Sequence, residues 1–404
     1  MTELKRSLGL AECIFFGVGS ILGAGIYTLI GKVAGLSGNF IWLSFLIASV
    51  SAIATAFSYA ELSAAYPKSG GEYVYAKKAF GKTAGLILGI IISLNGIVGG
   101  ATVSVGFAGY LSTLLDISTV IGSLGIIALL YLVNVSGIRK SSAVNILFTC
   151  IEGLGLLYII YIAFPEIGTV NFTEMPRGGT NDIFAAAALA FFAYMGFEEI
   201  VKLAEETKEP EKNIPRALFS ASIIVVIMYS IVAICAVSAI PYQDLGNSES
   251  PLGDIAGKFH GQTGVLIISI IALFATSNTI LSNMLGSSRV LLNMAKETKF
   301  LSPLAYIAPK RKTPVLALTL ILVVTSAFAL IGEIETVARI AVFFIFITFI
   351  IVNLSVIVLR FKDKDLKRPY RIPLNIYNVP VISIFAILLT LLLLGYTIAG
   401  LSGS

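Results

Sequence analysis

Long apolar runs alternate with short polar segments along almost the whole chain. Most of these runs reach the ~20 residues that a helix needs to cross ~30 Å of hydrocarbon. The eleven runs are 10–34, 40–65, 82–114, 119–135, 141–164, 182–204, 214–240, 263–295, 313–331, 336–360 and 379–401. The run 119–135 is the shortest, and 82–114 and 263–295 are long enough to tilt or protrude. The pattern predicts an all-α integral membrane protein with about eleven transmembrane helices.

Composition supports this prediction. Of the 404 residues, 57% are apolar and only 13% are charged, and the mean hydropathy is +0.92. A soluble domain carries about 25% charged residues. One large soluble core is therefore excluded as the main architecture.

The positions of the basic residues predict the orientation. With a cytoplasmic N-terminus, all but four of the 28 Lys and Arg residues fall in or beside the inner loops. The four exceptions are Lys32, Arg177, Lys258 and Arg339. This asymmetry follows the positive-inside rule, and eleven spans then place the C-terminus outside. The net charge of +5 therefore indicates topology and not binding to nucleic acid.

Two apolar runs contain interruptions. The first run includes GVGSILGAGIY (17–27), where Gly19, Gly23 and Gly25 each weaken the helix near mid-membrane. The sixth run includes AFFAYMGF (190–197). Glycines also allow close helix packing, which is the alternative interpretation. Paired interruptions in two halves of a chain are instead typical of a transporter's substrate site.

Polar motifs between the runs carry a family resemblance. They are YPKSGGEYVYAKKAFG (66–81), GFEE (196–199), AEETKEPEKNIPR (204–216), SRVLLNMA (288–295) and KTP (312–314). In this order, and together with GAGIY (23–27), they resemble the amino acid/polyamine/organocation superfamily of permeases, near its prokaryotic amino acid transporters. The resemblance covers about residues 8–373.

The resemblance implies a five-plus-five inverted repeat, the leucine-transporter-type fold, within a single permease domain over 1–404. Repeat one would cover about 10–165 and repeat two about 182–360, with a peripheral helix at 379–401. Five spans separate the two interruptions, and an odd number inverts topology. Relatives commonly have twelve spans, so the expected eleven would leave the last one absent.

Broken helices would recognise both ends of an amino acid. Free N–H groups at Gly23, Ala24 and Gly25 would bind a carboxylate at the positive end of the second half-helix. Free carbonyl groups near Phe191 and Phe192 would accept hydrogen bonds from an ammonium group. Such a site needs no charged side chain, and none lies between Phe184 and Phe197.

The resemblance also implies which side chains line the pocket. Phe192 aligns with an aromatic gate, although a packed core aromatic is the alternative. The implied pocket-lining residues are Ile21, Asn95, Gly96, Ala193, Met195 and Asn283. Asn95 is an amide within an apolar run, where it requires a partner.

Two carboxyl groups are candidates for coupling or gating. Glu152 lies twelve residues after Lys140, about 18 Å along a helix and near the midplane, where an unpaired carboxylate is costly. Many relatives carry a lysine there, so the resemblance implies a coupling position with altered chemistry. A structural, protonated Glu152 is the alternative. Glu198 follows the second interruption and would act in gating or proton sensing, or only bond to free backbone groups.

The leading hypothesis is a secondary active transporter that moves an amino acid by alternating access. Proton coupling through Glu152 or Glu198 is favoured, and amino acid exchange or sodium coupling remains open. A neutral substrate is favoured, whereas a cationic one would require Glu152 or Glu198 in the pocket. A membrane-embedded enzyme would need clustered His, Asp or Cys, and no zinc spacing, phosphate loop or nucleophile elbow is present. The predicted partners are the amino acid, a proton or sodium ion and the lipid bilayer, with no cofactor, no metal and no nucleic acid.

Overall fold

The structure, a computed structural model, describes residues 4–331 and 334–402, which form a helical bundle and one very short hairpin. The helices are α1 (Leu10–Ser37), α2 (Ile41–Ala65), α3 (Glu72–Phe80), α4 (Lys82–Leu114), α5 (Thr119–Val135), α6 (Ile138–Ala163), α7 (Thr180–Tyr194), α8 (Pro210–Ala239), α9 (Tyr242–Asn247), α10 (Pro251–Glu297), α11 (Val315–Ile331), α12 (Ile334–Lys362) and α13 (Val381–Ser402). Strands β1 (Asn375–Ile376) and β2 (Val379–Pro380) pair antiparallel between α12 and α13.

Each predicted apolar run coincides with helix, which confirms the all-α membrane class. Eight stretches of the described chain are helical, long and apolar enough to cross a membrane, and the first of them contains both α1 and α2. Helices α5 and α11 have 17 residues each and are apolar but shorter. At about 1.5 Å per residue they reach about 26 Å, slightly less than the hydrocarbon thickness.

Helix α1 occupies the centre of the bundle. It contacts α6, α7, α8 and α10, and most of its side chains from Phe16 to Ala34 are buried. Helices α2 and α8 pack on each other beside it, while α4 contacts α10. Helix α13 contacts α2, α7 and α12 at the periphery. The two interrupted helices therefore lie side by side in the interior, with α4 and α10 close by.

Three local features go beyond the hydropathy pattern. The polar segment 66–81 contains α3, which packs against α4 and α12. Helix α10 begins at Pro251, well before the predicted 263, and it bends at Gly261, where φ is +58°. A 3-10 run from Phe197 to Glu206 continues from α7. Hydropathy missed α3 and the 3-10 run because several of their polar side chains are folded inward against neighbouring helices. It missed the start of α10 because the polar residues there, such as Asp254 and Lys258, are exposed.

Buried ion pairs hold one end of the bundle together. The Arg289 guanidinium of α10 donates two hydrogen bonds, of 3.0 and 2.9 Å, to the carboxylate of Glu206 in the 3-10 run. Arg360 of α12 binds the carboxylate of Glu61 in α2. All four side chains are almost fully buried. Removing one partner from such a pair strands a buried charge, so these contacts fix how the helices sit around the interior.

Candidate substrate site

The predicted break in α1 is confirmed at Gly23. Its φ of −9° and ψ of −156° leave the helical range, so α1 consists of two half-helices. The carbonyl oxygen of Ile21, just before the break, accepts a 2.8 Å hydrogen bond from the Tyr229 hydroxyl. Just after the break, the N–H of Ala24 donates to the Thr279 hydroxyl at 3.3 Å. A Cβ on Gly23 would lie 2.1 Å from that hydroxyl oxygen, so a side chain there would displace the Thr279 hydroxyl.

The predicted break in the sixth run is also confirmed, and it is narrower than expected. Helix α7 continues through Ala193 to Tyr194, Met195 is extended, and Gly196 has a φ of +121° that favours glycine. The N–H of Met195 donates to the carbonyl of Phe192 at 3.2 Å. One carboxylate oxygen of Glu198 accepts a 2.8 Å bond from the N–H of Gly196.

The two breaks touch through their backbones. A Cβ on Gly25 would lie 2.9 Å from the Cα of Ala193. A Cβ on Gly196 would lie 2.3 Å from the carbonyl oxygen of Ser20. Glycine is therefore required on both sides of the contact, and the half-helix ends of α1 and α7 converge on one point inside the protein.

A cavity of about 100 Å³ opens where the breaks meet. It is bounded by α1, α3, α4, α7, the 3-10 run, α10 and α12. The lining residues that the sequence singled out are Ile21, Gly23, Ala24, Gly25, Asn95, Gly96, Phe192, Met195, Glu198 and Asn283. Most other lining groups are small or apolar, among them Ile92, Gly99, Val103 and Ile345. The geometry therefore combines two half-helix ends with an apolar wall.

Phe191 and Ala193 do not line the cavity, contrary to expectation. The Phe191 ring is fully buried and lies 4.7 Å from the ring of Phe346, measured between centroids. Ala193 lies behind Gly25, with its backbone against α1. Successive residues of a helix point about 100° apart, so the face that presents Phe192 turns its neighbours away. The Phe192 carbonyl is also partly engaged, by Met195.

Glu152 lies outside the cavity as well, in the gap between α1, α6 and α10. Its backbone carbonyl accepts a 3.0 Å bond from the Tyr27 hydroxyl of α1. Asn278 of α10 lies beside its carboxyl group, but neither carboxyl oxygen has a hydrogen bond of ordinary geometry within the described residues. The Asn278 amide is held instead by Asn145 at 2.7 Å and Thr149 at 3.1 Å.

Charged residues that the sequence interpretation missed line one end of the cavity. They are Glu72, Glu199 and Lys202, beside the expected Glu198. Lys202 binds Glu199, and Glu72 accepts a 3.1 Å bond from the Tyr59 hydroxyl. The expectation of a site without charged side chains is therefore incomplete. The spacing of Glu199 and Lys202, three residues apart, was the available signal for a pair on one helix face.

The side chain of Glu72, which lines this end of the cavity, is shielded from water. The residue begins α3, outside the predicted spans, yet its side chain is fully buried. Burial raises the pKa of Glu72 above its ordinary value, while the charge of Lys202 and the bond from Tyr59 offset part of that rise. Folding the polar segment 66–81 inward thus places a carboxyl group against the substrate cavity.

Tyr229→Phe is expected to destabilise the fold, because it removes the buried hydroxyl that donates to the Ile21 carbonyl at the break. A buried carbonyl without a partner costs about 1–3 kcal/mol. Thermal unfolding of the purified protein would show this as a lower melting temperature. Tyr161→Phe is the matched control, since that side chain is 79% exposed and has no hydrogen bond within the described residues. Equal melting temperatures for the two variants would mean that the break is satisfied in another way.

Comparison with known proteins agrees with this geometry. A family model described as Amino acid permease matches residues 8–400. The branched-chain amino acid permease BcaP of Bacillus subtilis (strain 168) is 28% identical, over 97% of this chain and 88% of the relative. The methylthioribose transporter of the same organism is 27% identical, over 94% and 87%. Cationic amino acid transporter 1 of Arabidopsis thaliana is 26% identical over 89% of this chain, which spans only 63% of that longer relative.

The family match extends over nearly the whole chain and includes both breaks. It confirms the resemblance drawn from the motifs and, with it, the leucine-transporter-type fold. The named relatives are transporters and permeases rather than enzymes. The chain therefore belongs to the amino acid permease family of the amino acid/polyamine/organocation superfamily.

Proposed function

We propose that this permease binds a small neutral amino acid in the cavity between the two breaks and carries it across the cell membrane by alternating access, together with a proton. The observation that carries the proposal is the convergence of the Gly23 and Gly196 breaks on one cavity. The N-terminal end of one half-helix carries a partial positive charge, and the C-terminal end of the other carries a partial negative charge. Where the breaks converge, these two ends lie close together. An α-amino acid has the matching pair of charged groups.

The carboxylate would bind at the start of the second half of α1. The N–H groups of Gly23 and Gly25 lie at this break, beside Ala24, whose own N–H donates to the Thr279 hydroxyl. The ammonium group would bind at the C-terminal end of α7, where carbonyl groups lack the next helical turn. Both poles are built from backbone, so they favour the constant part of the substrate.

The rest of the cavity favours a small, uncharged side chain. Its volume of about 100 Å³ is below the ~300–1,000 Å³ of pockets that hold drug-sized ligands. Ile21, Ile92, Val103 and Ile345 present apolar surface. At the charged end, three carboxyl groups (Glu72, Glu198 and Glu199) accompany one ammonium group (Lys202), so an anionic side chain is disfavoured, and Glu198 in the wall meets the condition set for the cationic alternative. The relative named for branched-chain amino acids is consistent with this proposal, and those named for cationic amino acids define the alternative.

Proton coupling would use Glu152 or Glu198. Glu198 is in the cavity wall and is bonded to the backbone of the break, so a change of its charge would act directly on the site. Glu152 is buried in the gap beside α1, where an ionised carboxylate without a partner would be costly. Exchange and sodium coupling are the competing modes. The basic residues favour a cytoplasmic N-terminus and an outer C-terminus.

A binding screen with matched ligands tests the substrate class. We expect alanine, valine and leucine to raise the melting temperature of the purified protein. Isopentylamine and 4-methylpentanoate, which lack the carboxylate and the amine of leucine respectively, should have little effect, because each leaves one pole unpaired. Stabilisation by lysine and arginine alone would favour the cationic alternative. Stabilisation by methylthioribose and by no amino acid would contradict the proposal.

A further inference from the structure

A groove between α5 and α6 lies apart from the substrate site, on the outer surface of the bundle. Its volume is about 370 Å³. The lining residues are Leu129, Leu132, Val133, Ser136, Lys140, Ala143 and Val144. Leu129 and Leu132 are 56% and 61% exposed, although both belong to an apolar helix. The groove is therefore an apolar trough that opens toward the surrounding lipid.

Basic residues crowd one end of this groove. Arg139 and Lys140 are exposed at the start of α6. Three further basic residues, Lys310, Arg311 and Lys312, form the turn that precedes α11. We call these five residues the basic rim. The rim combines two segments that are about 170 positions apart in the sequence, so only the fold brings them together.

Backbone contacts hold the two parts of the basic rim against each other. A Cβ on Gly137 would lie 3.3 Å from the carbonyl oxygen of Arg311. The Thr313 hydroxyl donates a 3.3 Å bond to the carbonyl of Val135, the last residue of α5. Farther along the helices, the hydroxyl groups of Tyr131 and Thr319 lie 3.0 Å apart. These contacts between the ends of α5 and α6 and the turn before α11 therefore hold the basic rim together.

The basic rim has no paired acidic side chain among the residues that the structure describes. Within the described residues, none of its five members forms an ion pair. Other exposed lysines do find acids: Lys77 pairs with Glu297, and Lys296 with Glu205. An uncompensated cluster of cations at the end of an apolar groove has the complementary charge and shape for an anionic amphiphile.

We propose that the groove binds one anionic phospholipid, with an acyl chain along α5 and α6 and the phosphate at the basic rim. Long basic side chains reach the headgroup level while their alkyl stems cover apolar surface. A zwitterionic headgroup brings its own cation and gains less from the rim. A second copy of this chain would bring an identical cluster of positive charge to the same place, because a twofold interface is self-complementary, and the two would repel each other.

Native mass spectrometry of the full-length protein in detergent would test this proposal. The probes are phosphatidylglycerol and phosphatidylcholine with the same acyl chains. We expect tighter binding of phosphatidylglycerol. Lys140→Gln combined with Arg311→Gln should weaken phosphatidylglycerol about tenfold or more, since each basic residue near the headgroup contributes roughly 1 kcal/mol, and should barely change phosphatidylcholine. Ala143→Trp, which fills the exposed groove, should weaken both lipids.

Lys364→Gln combined with Lys367→Gln is the matched control. It removes the same charge from two exposed lysines in the segment between α12 and α13 and should leave the preference unchanged. An equal loss in this control, or equal affinity of the wild type for the two lipids, would overturn the proposal. So would equally tight binding of glycerol phosphate, which has no acyl chain, or a dimer that Ala143→Trp dissociates. Melting temperatures close to wild type would show that the variants are folded.

Discussion

Gly25→Leu is expected to abolish amino acid uptake in cells or vesicles, while the protein still inserts into the membrane. Gly25 is where the half-helix of α1 approaches α7, and even a Cβ there would lie 2.9 Å from the Cα of Ala193. A leucine side chain would separate the two breaks and cover the N–H groups proposed to bind the carboxylate. Gly25→Ala should also impair uptake, though less than leucine, because even one methyl group there lies too close to the backbone of Ala193.

Gly106→Leu is the control for this experiment. Gly106 lies in α4, is exposed, and has no atom within 4 Å of the position of its missing Cβ. The Gly106→Leu substitution therefore adds the same side chain to a transmembrane helix without touching the site. Normal uptake in the control with none in the Gly25 variant, at equal membrane levels, is the expected pattern. Uptake with unchanged affinity in Gly25→Leu would show that the substrate binds elsewhere.

The breaks were predictable from sequence because their cause is local. Glycine lowers helix stability wherever it occurs, and lipid gives a broken backbone no partner, so two glycine-containing interruptions in apolar runs are informative. Gly23 followed directly from the break, whereas Met195 followed from the family resemblance. The sequence did not predict that Phe192 lines the cavity whereas Phe191 does not. This difference depends on the rotation of α7, which is fixed by packing against Phe346 of a distant helix.

The charged end of the cavity was not predictable for a similar reason. Glu72 belongs to a polar segment that reads as an exposed loop, and its burial results from α3 folding inward against α4 and α12. Lys202 was placed among the inner-loop cations, yet its side chain is almost fully buried beside Glu199. Residue type predicts solvation on average, whereas the path of the backbone decides it in each case.

Two carboxyl groups remain as candidates for the proton carrier, and their surroundings separate them. Glu198 has an assigned structural bond, from the N–H of Gly196. The backbone carbonyl of Glu152 accepts a bond from Tyr27, and its carboxyl group lies beside Asn278 without a hydrogen bond of ordinary geometry within the described residues. A buried carboxyl group without a hydrogen bond of ordinary geometry costs stability, so a functional role explains it better than a structural one. We therefore expect Glu152 to carry the proton.

Glu152→Gln should remove proton-driven accumulation of amino acid in vesicles. The amide has nearly the same shape as a protonated carboxyl group but cannot release a proton. Exchange of labelled for unlabelled amino acid across the membrane should survive, because Glu152 lies outside the cavity and the variant leaves the two breaks intact. Two assays on vesicles of the same preparation make the measurement. One follows uptake driven by a pH gradient, and the other follows exchange by counterflow.

Glu198→Gln completes the comparison. The glutamine amide oxygen can still accept the bond from the N–H of Gly196, and the amide, like that of the Glu152 variant, cannot ionise. If Glu152 is the carrier, the Glu198 variant should keep gradient-driven accumulation and change mainly the affinity for substrate, because Glu198 lines the cavity. The reverse pattern would transfer the coupling role to Glu198. Wild-type accumulation in both variants would reject proton coupling through either residue, and a dependence of uptake on sodium would then identify the driving ion.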